Sequence, residues 1–160
     1  MAIELANHIY RDGEGVPVVL MNAPAGNWAQ GERGLAAQPG RDQEFHHSLN
    51  VARDYATALG CRRIHVMAGS RCDDLTLHAQ RTLLTNRLRI ACDMMAEAEI
   101  DVLIEPLNSQ DMPGYFIDSF PLAESIIQEV GKKISVYSLI FTTVRKFMAM
   151  WQKILNATSP

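Results

Sequence analysis

This sequence predicts an α/β fold with about four parallel strands and covering helices, on three observations. Short apolar runs recur along it: "VPVVLMN" at 16–22, "RRIHVMAG" at 62–69, "VLIE" at 102–105 and "KISVYSLIF" at 133–141. Stretches with apolar residues at helical spacing separate these runs. The runs are also apolar at nearly every position, as strands are when helices cover both faces of a parallel sheet. At 160 residues the chain forms one domain with room for a sizeable core.

Taken in order, residues 3–11 read as a helix, and 16–22 as a β-branched strand between Gly15 and the loop "APAGNWAQGERG". From 41 to 59, Phe45, Leu49, Ala52, Ala56 and Leu59 recur at helical spacing, and Gly60 suits a C-terminal cap. The strand at 62–69 comes next. A long helix follows it, with Leu84, Leu88, Ala91, Met95 and Ala98 as its inner stripe. After "VLIE", Ser119 is placed to cap a helix running to Val130, with Pro121 in its first turn and Gly131 past its end. Residues 133–141 read as a fourth strand and 142–155 as an amphipathic helix.

Composition narrows the function classes. The chain is 48% hydrophobic and 21% charged, with a net charge of −3 and no dominant basic stripe, so no nucleic-acid partner is expected. Cys61, Cys72 and Cys92 lack disulfide or metal-ligand spacing, which fits a reduced, cytoplasmic setting. The start "MAIELANHIYRDGEG" has no apolar signal core, and no run approaches the ~20 residues of a membrane span. All eighteen Asp and Glu residues lie at or before Glu129, whereas Lys132, Lys133, Arg145, Lys146 and Lys153 follow it. That shift sets 134–160 apart from 1–133.

Glu105 is the first candidate for chemistry. It ends an apolar run, where a carboxylate reaches the carboxyl edge of a parallel sheet and is able to bind a hard cation or move a proton. A structural carboxylate bonded to loop amides fits the spacing as well. Asn108 and Asp111, in a loop turned by Pro113 and Gly114, are placed to reach the same pocket, although turn chemistry favours the same residues. Arg33, in the glycine-rich loop, is a candidate to meet an acid group, with an ordinary surface loop as the plainer reading. His65 reads as a satisfied core histidine, and His46 and His47 point different ways on a helix. No nucleophile triad, dinucleotide motif or zinc pattern is present.

Three blocks, "MNAPAGNWAQGERGLAAQPGRDQEF", "YATALGCRRIHVMAG" and "LIEPLNSQDMPGYFIDS", resemble the hydroxypyruvate isomerase family of the xylose-isomerase-like sugar isomerase and epimerase barrels. The likeness covers roughly residues 4–133, and 2-oxo-tetronate isomerases share the same blocks. It implies a partial (β/α)8 TIM barrel and a small hydroxy-keto acid substrate. It also implies a divalent ion, Mg or Mn, at the strands' carboxyl ends. Glu105 would be metal ligand and acid/base, and Asp111 would contact substrate hydroxyls. The implied chemistry is proton movement between adjacent carbons through an enediol, converting hydroxypyruvate to tartronate semialdehyde.

The sequence also departs from that family. It begins near the first helix, and Met21 stands where many relatives have histidine. After Lys133 the family continues with Asp-x-x-His, whereas this chain reads "VYSLIFTTVRKF". Permitted codons for "LIFTTVRKFMAMW", read from the third base of Leu139, spell an Asp-x-x-His-x-Gln-Lys segment. An out-of-frame tail at 134–160 is therefore the expectation, together with a truncated barrel whose exposed sheet edges favour homo-oligomers. A non-catalytic fragment is the alternative to an active isomerase.

Overall fold

The computed structural model describes residues 17–136. They form a four-stranded parallel sheet with helices packed on one face, the arc of a (β/α) barrel. Strand β1 (Met21–Asn22) precedes helix α1 (Asp42–Leu59), and β2 (Arg63–His65) precedes α2 (Leu77–Ala96). Strand β3 (Asp101–Ile104) is followed by α3 (Phe120–Val130) and β4 (Ile134–Val136). The order is β1-β2-β3-β4, with each strand parallel to the next, so every connection carries the chain back across the helical layer.

The helices form where the apolar spacing places them. Phe45, Leu49, Ala52 and Ala56 of α1 are buried, and Gly60 takes a left-handed conformation (φ 65°) that lets its N–H close on Ala56 and Thr57. Leu84, Leu88, Ala91 and Met95 line the buried side of α2, whose Thr76 accepts the N–H of Ala79 at 3.2 Å. The predicted stripe overran this helix. Ala98 lies past its end at Ala96, partly buried against the core, before Glu99 turns the chain at φ 53°. Helix α3 has Pro121 in its first turn and Gly131 (φ 64°) at its end, but the Ser119 side chain makes no capping bond.

The strands are shorter than the apolar runs. Only Met21 and Asn22 of 16–22 enter the ladder, and only Arg63–His65 of 62–69. Val66 still donates to the Leu103 carbonyl of β3 at 2.9 Å, whereas Met67 and Ala68 are buried because loops cross them. Ala36 and Ala37 donate to the carbonyls of Met67 and Ala68 at 3.3 and 2.7 Å. The predicted helices at 3–11 and 142–155, and the rest of the last strand, lie outside the described residues.

Two buried polar side chains of α2 anchor those loops. Arg87, 2% exposed, donates from Nη1 to the carbonyls of Leu35 and Gln38, both at 2.6 Å, and from Nη2 to Asp42 at 2.9 Å. Gln80 donates to the carbonyls of Ala37 and Ser70 and accepts from the N–H of Cys72. Buried backbone carbonyls need such partners, so α2 fixes the loops beside the sheet's carboxyl edge.

Candidate active site at the carboxyl ends of the strands

The loops after β1, β2 and β3 are bound to one another. Gly34 and Ala68 form an antiparallel bridge, as do Ser70 and Tyr115. Gly34 sits at φ 135°, and a Cβ there would lie 2.4 Å from the carbonyl oxygen of Met67, so glycine alone permits this approach. The Phe116 N–H donates to Gly69 at 2.9 Å, and the Tyr115 hydroxyl accepts from the N–H of Ala68 at 2.9 Å.

Glu105 follows β3 directly and is half-buried. Its carboxylate lies close enough to Tyr115 to act on it: burial pushes the phenol well above its ordinary range, and the charge of Glu105 pushes the same way. Asn108 and Asp111 come together, with Asn108 Nδ2 donating to Asp111 Oδ2 at 2.5 Å. Asn108 Oδ1 also accepts from the N–H groups of Gln110 and Asp111, so this exposed pair builds its own turn.

Arg33 lies on the loop after β1, where its guanidinium stacks 3.9 Å over Trp28 and donates to the carbonyls of Trp28 and Glu32. Its neighbour Glu32 reaches instead to Arg41 at 2.7 Å, which holds the carboxyl below its usual range, helped by the N–H of Asn27.

His65 corrects the sequence reading, because only half of its ring is satisfied. Nδ1 lies 3.1 Å from Asn22 Oδ1, while the buried Nε2 has no hydrogen-bond partner among the described residues. Burial pushes its pKa down to about 4. Sequence reasoning also missed Tyr115, which sits in the same block as Glu105.

Among the described residues, no three His, Cys, Asp or Glu side chains converge to hold a metal ion. A cavity of about 370 Å³ lies at the opposite, amino edge of the sheet, lined by Cys92, Asp93, Ile100, Asp101, Lys132 and Lys133. Its lysines pair with its carboxylates, both at 2.7 Å, and parallel sheets place their chemistry at the other edge.

The model of the xylose isomerase-like TIM barrels matches residues 4–140. The chain belongs to that family. It is 42% identical over 120 residues to a 2-oxo-tetronate isomerase of Cupriavidus necator, covering 75% of this chain and 46% of that protein. It is 38% identical over 112 residues to the hydroxypyruvate isomerase of Escherichia coli, covering 70% and 43%. A solved structure described as an AP endonuclease, family 2, from Brucella melitensis superposes with a TM-score of 0.78 at 34% identity, covering 91% of this chain and 60% of that one. The chain thus spans about half the length of the curated relatives it matches. Family membership makes the four described strands a segment of a TIM barrel. It also makes the face away from the helices the barrel lumen. No described helix is long and apolar enough to cross a membrane.

Proposed function

We propose that this chain carries the proton-transfer carboxylate of a barrel isomerase acting on small 2-oxo acids with a neighbouring hydroxyl. One observation carries the reading: Glu105 stands at the carboxyl end of β3, among loops fixed to one another, where its charge acts on the buried Tyr115. On hydroxypyruvate, the Glu105 carboxylate removes a proton from C3, the electron pair forms the C2–C3 double bond, and the C2 carbonyl pair moves onto its oxygen to give an enediolate. Transfer of the C3 hydroxyl proton to the C2 oxygen and return of the abstracted proton to C2 leave the aldehyde at C3, giving tartronate semialdehyde. No oxidant or second reactant is needed. Asn108 and Asp111, an exposed hydrogen-bonded pair on the same loop, supply contacts to substrate hydroxyls, and Arg33 faces the acid group.

A Mg or Mn ion would supply Lewis-acid stabilisation of negative charge on oxygen, with Glu105 as one residue to hold it. The described residues do not fit such an ion as a set, since no three of their His, Cys, Asp or Glu side chains converge. Among these residues β1 and β4 are the end strands, and we propose that copies of the chain pair there.

Turnover of hydroxypyruvate and of 2-oxo-tetronate, with and without Mn, tests the reading beside a Glu105→Gln control. Both acids belong in the assay because relatives named for each are similar to this chain. Turnover by the parent, lost in the control, supports the proposal. No turnover by folded protein identifies a non-catalytic member of the family.

A further inference from the structure

Strand alternation sorts the sheet's side chains onto two faces. Met21, Ile64, Val102, Ile104 and Ile134 pack toward the helices. Asn22, His65 and Leu103 take the opposite parity and form one register row, Asn22 beside His65 and His65 beside Leu103. Continued alternation puts Glu105 on the same face as Leu103, roughly 7 Å further toward the carboxyl edge. The row is therefore the lumen layer directly beneath the proposed proton-transfer group.

Within it the polar pair has a defined polarity. His65 is 6% exposed and neutral, so its ring carries one N–H. The Asn22 oxygen only accepts, so the proton resides on Nδ1 and donates to Oδ1 across 3.1 Å. The opposite arrangement would put the N–H on the buried, unpartnered Nε2, and orphaned buried N–H groups are rare. With Oδ1 held by the ring, exposed Asn22 has its two amide hydrogens left to offer.

We propose that Asn22, clamped by the Nδ1-protonated His65, orients the substrate by donating from Nδ2 to an oxygen of the bound 2-oxo acid. Asn22 is the contact residue, and His65 is a positioning residue acting through it. This rests on the isomerase reading for its ligand class, but its test does not depend on turnover.

The test is NMR on the full chain, labelled with ¹⁵N. The long-range ¹H–¹⁵N pattern of His65 reports its tautomer, and the Asn22 side-chain NH₂ signal is followed as hydroxypyruvate is added. We expect the Nδ1–H tautomer and a saturable shift of the Asn22 amide. Asn22→Asp keeps an oxygen for His65 but removes the donor, and should weaken binding at least tenfold. His65→Gln should weaken it severalfold, with Asn22→Ser as a second variant if Asn22→Asp does not fold. An Nε2–H tautomer, an unmoved Asn22 amide, or unchanged affinity in the Asn22 variants would overturn the proposal. Turnover is recorded on the same samples. An Asn22 shift without turnover removes the isomerase reading and leaves this one, whereas turnover and binding indifferent to Asn22→Asp remove this one alone.

Discussion

His65 shows how much one buried side chain sets at the residue scale. Its folded pKa, about 4, lies below the ordinary 6.5 because burial penalises the charged ring. Between those values the unfolded chain binds a proton that the folded chain refuses. Stability therefore falls as pH drops through this window, by about 1.4 kcal/mol per unit and about 3 kcal/mol in all. Carboxylates held low by arginines, such as Glu32 by Arg41 and Glu129 by Arg81, also lose stability toward acid, below their unfolded values. The comparison must therefore be with His65→Gln. Urea unfolding at pH 7 and pH 4 should show the parent losing about 3 kcal/mol more than the variant. Equal losses would mean that the ring titrates normally.

At the scale of elements, α2 determines where the loops at the sheet's carboxyl edge lie. Arg87→Ala removes the donor for the buried carbonyl of Leu35 and the part-buried one of Gln38, and should cost roughly 3 kcal/mol in urea unfolding. Asp42→Asn should cost far less than Arg87→Ala, since that carboxylate is 68% exposed and its ion pair with Arg87 is screened. Gly34→Ala should cost at least about 2 kcal/mol, because the new Cβ meets the Met67 carbonyl and φ is 135°. Gly40→Ala, at φ 70° with open space around it, should cost only about 1 kcal/mol.

The same scale explains what the sequence made legible. The helices were readable because Phe45, Leu49, Ala52 and Ala56, or Leu84, Leu88 and Ala91, repeat at one period and end at a glycine or a turn. The strands were overdrawn because apolar character reports burial, and Met67 and Ala68 are buried by crossing loops rather than by pairing as strand. Glu105 stood out as a carboxylate closing an apolar run, and the Asn108–Asp111 pair was local enough to see. Tyr115 with Ala68, and His65 with Asn22, join residues 47 and 43 positions apart, so only the folded sheet reveals them. Arg87 was invisible for the same reason, since its carbonyl partners lie about fifty residues back.

At the scale of the whole molecule, the described sheet is an arc with two end strands, and pairing of copies at β1 or β4 would cover them. Sedimentation velocity should show dimers or larger species that dissociate on dilution, and a monomer at every concentration would contradict the pairing. The central claim is that Glu105 moves the proton. The most direct measurement is exchange of the C3 hydrogens of hydroxypyruvate with deuterated water, followed by NMR, for the parent and Glu105→Gln. Exchange by the parent that falls about 10²–10⁴-fold in the variant is the predicted result. Equal exchange in both proteins, or none above solvent background in folded parent, would contradict it.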